Sequence, residues 1–237
     1  MHKLTIGWMY PNLLNLHGER GSVQALDNIG KRIGIDVEIL RIEDFTQPIP
    51  FDRLDMLMFL PGEISLFPHL IAALKASELG TYIENGGYVL SIGTTGLMFG
   101  KSILREDGSV IDGLGYLDMT AKERKYVWGN DLHLRICGTK QELAGSQIQM
   151  ADVDAAAPFA ETLYGMGNNN TGADGCRYKN LVYTNCLGPL FVKNPWFAEG
   201  LLKDILLQKL GITAQRDAIA DQSFASTLKF IKEKQSC

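Results

Sequence analysis

Apolar positions in the first hundred residues fall into short runs separated by amphipathic stretches. Lys3–Met9 alternates, with Leu4, Ile6 and Trp8 on one face, and reads as a strand. Gly18-Glu19-Arg20-Gly21 opens a helical pattern carrying Val23, Leu26, Ile29 and Ile33, and Gly34 stands where a helix-ending glycine belongs. Val37–Ile42 reads as a second strand, and Pro48 and Pro50 mark a loop. Leu54–Leu60 (LDMLMFL) is almost continuously apolar and stops at Pro61-Gly62. Runs of that kind belong to strands buried on both faces, the usual condition of a parallel sheet. A helix is predicted from about Phe67 to Glu84, stopped by Asn85-Gly86-Gly87, and Tyr88–Ile92 (YVLSI) is the next strand. The alternation of strands and helices predicts an α/β fold, a largely parallel sheet with helices on both faces.

The pattern then changes. Asp107-Gly108 lies between short apolar segments and predicts a hairpin. Strand-like runs recur at Tyr116–Thr120, Tyr126–Trp128, Leu132–Cys137, Ser146–Met150 and Thr162–Met166, which predicts added antiparallel strands. Asn168–Gly175 (NNNTGADG) reads as a polar loop, and the strand LVYTNC ends at Gly188-Pro189. Asn194-Pro195 reads as a cap with proline at the first helical position, ahead of a helix with Phe197, Leu201, Ile205 and Leu206 on one face and Gly211 as its stop. A helical tail over about 214–237 carries Phe224, Leu228 and Ile231, to dock on the body or on a partner. No repeat or linker interrupts the chain, so residues 1–237 are expected to form one domain.

Composition narrows the function classes. With 23 basic and 27 acidic residues the net charge is −4, which speaks against nucleic acid as the main partner. No run approaches the roughly 20 apolar residues that span a bilayer, and the N-terminal MHKLTIGWMY is too short and broken for a secretory signal. The cysteines Cys137, Cys176, Cys186 and Cys237 form no C-x-x-C pair; they read as reduced thiols of a cytoplasmic protein, with no metal or cofactor implied.

The candidate chemistry lies in Gly87–Gly100 (GYVLSIGTTGLMFG), a buried strand running into a tight turn and then a helix. This is the local form of a nucleophile elbow, which holds one side chain at the head of a sheet. By spacing the elbow residue is Gly93, which has no side chain to attack with. Gly93-Thr94-Thr95-Gly96 also has the form of an anion cradle, although the simpler reading is that Thr94 or Thr95 merely caps the helix. His17, His69 and His133 lie near no acid-and-nucleophile pattern, and His133, between Leu132 and Leu134, is expected on a strand surface. Ser91 reads as a core hydroxyl, Tyr126, Trp128 and Trp196 as core or rim aromatics, and Asn168–Asn170 as a contact loop or a solvated turn.

These residues resemble those of a known family. The segments LNLHGERG (Leu14–Gly21), GKSILREDGSVIDGLGYLD (Gly100–Asp118), GMGNNN (Gly165–Asn170) and YKNLVYTNCLGPLFVKNP (Tyr178–Pro195) are similar to class I glutamine amidotransferases of the cobyric-acid-synthase type. More narrowly, the chain resembles glutaminase subunits of lipid II isoglutaminyl synthase, which serve peptidoglycan precursor amidation for the cell wall. The resemblance implies a flavodoxin-like fold and a Mur-ligase-like synthetase or a homologous glutaminase subunit as partner. It also implies a cysteine nucleophile and a histidine base, whose positions fall on Gly93 and on Leu187 before Gly188-Pro189. The glutamine-receiving loop falls on Pro61–Ser65, where only Gly62 is kept, and a polar Asn-His segment falls near Ile148-Gln149. The expectation is a pseudoenzyme that acts by binding. Cys186 stays open as a relocated nucleophile or a buried thiol; strand alternation turns it away from Gly93 if Leu187 points inward.

Overall fold

A computed structural model describes residues 2–45, 47–214 and 218–235. β1 (His2–Met9) leads to α1 (Arg20–Ile33), which buries the stripe Val23, Leu26, Ile29 and Ile33 and ends at Gly34 with φ 79°. β2 (Ile35–Ile42) and β3 (Met56–Phe59) follow, the latter buried at all four positions. The expected single helix over Phe67–Glu84 is two, α2 (Phe67–Lys75) and α3 (Leu79–Glu84). Ser77 makes the break: its hydroxyl donates to the Leu74 carbonyl and accepts from the Leu79 N–H, competing with helical bonding. β4 (Tyr88–Ile92) runs into the helical segment expected there, Gly93–Phe99, which is of 3-10 form.

β5 (Ser102–Leu104) and β6 (Val110–Asp112) form the hairpin expected at Asp107-Gly108, with Gly108 at φ 84°. The next expected short strands are parts of two long ones, β7 (Met119–Ile136) and β8 (Glu142–Ala155). A bulge bends β7, where Arg124–Val127 lie opposite Met150 alone. β9 (Ala160–Tyr164), β10 (Ala173–Asp174), β11 (Cys176–Tyr178) and β12 (Leu181–Thr184) precede α4 (Leu190–Lys193), α5 (Pro195–Leu210) and α6 (Ala218–Gln235).

The first sheet runs β11-β12-β4-β3-β1-β2, with every pair parallel except β11–β12. Its face with Leu4, Ile6, Met58 and Ile92 packs under α1 and α5; the face with Leu57, Phe59, Val89 and Tyr183 packs under α2 and α3. The remaining strands form a second sheet, β10-β9-β7-β5-β6 with β8 on β7. The antiparallel strands are therefore largely a sheet of their own; only β11 joins the first. Both apolar clusters draw on both sheets: Leu132 and Leu134 join one, Ala121 and Val153 the other.

Three local readings change. Asn194 does not cap α5 through its side chain; its amide binds both backbone groups of Ala144 and ties the helix start to β8. His133 is buried, with Nε2 3.1 Å from Glu142 Oε2. Tyr126, on the β7 bulge, is 73% exposed and belongs neither to core nor to rim. From the tail, Phe224 meets Trp196 at 5.8 Å between ring centroids and Ile231 is buried, so α6 docks on the body; residues 215–217, 236 and 237 lie outside the described residues. No helix among the described residues is long and apolar enough to cross a membrane.

Candidate active site

Loops leaving the carboxyl ends of β1, β3, β4 and β12 converge, the place where open α/β sheets hold their ligands. Gly93 directly follows β4 and has φ 67°, a conformation glycine takes without strain. A Cβ built there would stand 3.0 Å from Pro61 Cγ and 3.2 Å from Leu187 Cδ2. Gly93 and Leu187, the two positions singled out by the resemblance, are in direct contact. Leu187 is 1% exposed and every residue of Gly93–Phe99 is buried. The place of an elbow side chain is thus closely walled by apolar atoms.

Those walls are fixed in place. Leu187 exchanges both backbone hydrogen bonds with Ser146 of β8, at 2.8 and 2.9 Å. The next residues are held by Glu19, at the start of α1. Its buried carboxylate accepts from the Gly188 N–H at 2.6 Å, the Leu190 N–H at 3.2 Å and the Ser22 hydroxyl at 2.8 Å. Burial pushes the Glu19 carboxyl above its usual range, against the pull of these donors and of Lys193. Glu19→Ala strands buried donors and is expected to destabilise the fold by about 2 kcal/mol, read as a lower midpoint of chemical denaturation.

The other candidate residues are committed internally. Thr94 Oγ1 donates to the Gly62 carbonyl at 2.6 Å and accepts from the Gly62 N–H at 3.1 Å, binding the elbow to the loop after β3. Thr95 Oγ1 lies 2.9 Å from Ser91 Oγ and within 3.3 Å of the Phe59 and Ile92 carbonyls. Ser91 is the core hydroxyl expected of it. Gly96 lies flat against the Tyr183 ring.

Cys186 is fully buried, with Sγ against Gly145 of β8. Burial drives its thiol well above the ordinary value, and Asp174 and Glu19 add to the shift. A thiol held in its protonated form is a poor nucleophile. Among the described residues no group of three His, Cys, Asp or Glu side chains is placed to hold a metal ion.

Sequence reasoning missed the buried polar layer behind the site. Asn168 is 2% exposed, neither contact loop nor solvated turn. It brackets Gly175, accepting from its N–H and donating to its carbonyl, and it accepts from Asn185. Asn185 in turn donates to Asp174 and accepts from the Tyr183 hydroxyl. Gln147 and Gln149 of β8 donate to the Gly167 and Asn168 carbonyls. Gly167 and Asn168 of the GMGNNN segment are therefore structural, with Gly165 and Gly167 at positive φ, while Asn170 is exposed. Its glycine-and-amide composition was the available signal.

No protein-family profile matches the sequence. The chain is similar to the lipid II isoglutaminyl synthase (glutamine-hydrolyzing) subunit GatD of Streptococcus pneumoniae, 25% identical over 246 aligned positions that cover 98% of this chain and 93% of that protein. The subunit of the same name from Staphylococcus aureus is 27% identical over 213 positions, 86% of this chain and 84% of that protein. Among solved structures, PurLQS from Thermotoga maritima aligns with a TM-score of 0.53 and 12% identity over 78% of this chain and 86% of that one. The fold is class I glutamine amidotransferase-like, and the resemblance to GatD holds over most of the chain.

Proposed function

We propose that this chain is a GatD-like glutaminase subunit of the lipid II amidation type that has lost its own chemistry and acts by binding. Its partner in this reading is a Mur-ligase-like synthetase or a homologous, active glutaminase subunit, in the cytoplasm. The observation that carries the loss of chemistry is the contact of Leu187 and Pro61 at Gly93. Covalent amide hydrolysis needs a nucleophile and a base within hydrogen-bond reach. Here the elbow residue has no side chain, and an aliphatic group stands where the resemblance puts the base. Glutamine would also have to enter a buried position whose walls are pinned by Ser146 and Glu19.

The test is ammonia release from glutamine by the purified chain, alone and with the synthetase encoded nearest to it. No release above background is expected in either case, while the two proteins co-elute in size-exclusion chromatography. Gly93→Cys alone is expected to stay inactive, since nothing raises its thiolate fraction or protonates the leaving ammonia. It is also expected to destabilise the fold by about 1 kcal/mol or more, because a side chain enters a positive-φ site. Adding Leu187→His restores the pair of groups but not the receiving loop at Glu63-Ile64-Ser65, so activity is expected to stay minimal. Glutamine turnover by the unmodified chain that vanishes in Cys186→Ser would overturn the proposal in favour of the relocated thiol.

A further inference from the structure

At the amino ends of β3 and β4, away from the elbow, the fold leaves a second concavity. The sheet face with Met56, Tyr88, Leu90 and Val182 is roofed by α5, and near β12 the roof passes to the end of β7 and the loop before β9. Those covers do not meet. Between them lies a cavity of about 320 Å³, at the low end of ligand-pocket sizes. Its lining is mixed: Leu90, Val182, Ile136, Phe159, Phe197 and Leu201 give an apolar wall, and Thr139, Gln141 and Asn180 add polar groups.

Its rim carries one charge of each sign. Arg177 comes from β11 and Asp204 from α5, and Tyr88 of β4 lines the same cavity. Arg177 Nε donates to the Lys179 carbonyl at 3.0 Å, which steadies the side chain. Asp204 accepts no hydrogen bond and makes no ion pair among the described residues. The two charges sense one another, and both act on the Tyr88 hydroxyl, yet they do not close into a salt bridge. Asp204 is exposed at the rim, and desolvation there still raises its carboxyl from its ordinary value, with Arg177 opposing.

We infer that this cavity binds a zwitterionic amino acid with an apolar side chain. The ligand carboxylate pairs with Arg177, its ammonium with Asp204, and its side chain fills the space between Phe159, Phe197 and Leu201. An apolar ligand without charge leaves both rim groups unused, and a ligand of one sign leaves one of them unpaired. Gln141, from the turn between β7 and β8, adds an amide at the same rim. Nothing in this inference depends on whether the elbow is active.

The test is titration of the full chain with L-leucine, L-methionine and L-phenylalanine, followed by calorimetry and by heteronuclear NMR. Two truncated leucine analogues accompany them: 4-methylpentanoate, which lacks the ammonium, and isoamylamine, which lacks the carboxylate. Saturable binding of at least one amino acid is expected, with either leucine analogue weaker than leucine by about tenfold or more. Asp204→Asn and Arg177→Gln are each expected to weaken the amino acid by about tenfold, with the melting temperature of the unliganded chain unchanged. Leu201→Trp, which fills the cavity, is expected to abolish binding. The inference is overturned if none of the three binds at about 10 mM, a level that would detect affinities weaker than ordinary small-ligand ones. It is equally overturned if binding survives both charge substitutions, or if the truncated analogues bind as tightly as leucine.

Discussion

Gly96→Ala is expected to lower the unfolding free energy by about 3 kcal/mol, a large fraction of what holds a domain together. A Cβ built on Gly96 falls 1.9 Å from Tyr183 Cδ2 and 2.4 Å from Cε2, far inside van der Waals contact. The ring has no direction in which to yield. Tyr183 is 1% exposed, its hydroxyl donates to Asn185 Oδ1 at 2.7 Å, and its carbonyl would lie 1.9 Å from a Cβ on Gly175. Added methyl groups in well-packed cores typically cost about 1–3 kcal/mol, and the tethered ring puts this one at the upper end. Denaturant midpoints at unchanged slope are the measurement. Tyr183→Leu in the same chain should recover part of the loss, because the two substitutions act on one contact. A change below about 1 kcal/mol in Gly96→Ala would mean that the 3-10 segment slides freely over β12.

The first sheet was legible because its apolar runs have one explanation. Four consecutive buried residues, Met56–Phe59, suit only a strand covered on both faces, and the glycine at position 34 ends α1 in the conformation expected of it. The second sheet was less legible because its strands break the rule that one face meets water. Alternation with Leu132 and Leu134 predicts an exposed His133, yet all three are buried. The far face of β7 is covered there too, and Glu142, itself reached by Lys232 of α6, supplies the polar partner. The β7 bulge hid the continuity of the strand, since Arg124–Val127 interrupt the alternation on both sides of it.

At the candidate site, local spacing located Gly93 after its strand and Leu187 before Gly188-Pro189, and the chain brings the two into contact. What closes the site was not local. Pro61 enters from the loop after β3, Ser146 from β8, and Glu19 reaches Gly188 from 169 residues away. Each is an unremarkable residue in its own segment. A buried glutamate at a helix start reads as a solvated first-turn acid until the loop it holds is known. The 3-10 form of Gly93–Phe99 follows from the same closure: Gly96 must lie against Tyr183 and Thr94 against Gly62, and a regular helix has no such requirement.

Asn168→Ala is expected to cost about 3 kcal/mol, because one truncation opens three buried bonds. The Gly175 N–H, 2.7 Å from Asn168 Oδ1, and the Gly175 carbonyl, 2.9 Å from Nδ2, both lose their partner, and Asn185 keeps only Asp174 as acceptor. Each stranded buried group costs about 1–3 kcal/mol, more than the bond itself contributes. Asp174, at the centre of the same network, adds a pH dependence whose sign can be derived. Its carboxylate accepts from the Thr184 hydroxyl at 2.6 Å and from the Asn185 amide at 3.0 Å, but it is completely buried, and burial outweighs these donors and raises its pKa. The folded chain therefore holds the Asp174 proton at a pH where the unfolded chain has released it. Stability from this group is fully present below the unfolded value of about 4 and declines as pH rises towards the raised folded value. Asp174→Asn cannot titrate, so it is free of that decline. The stability of the natural chain minus that of Asp174→Asn is expected to fall as pH rises from about 4 to about 8, measured by denaturant midpoints at each pH. A signed difference that rises with pH instead would show that the donors from Thr184 and Asn185 outweigh burial and that Asp174 is held as a buried anion.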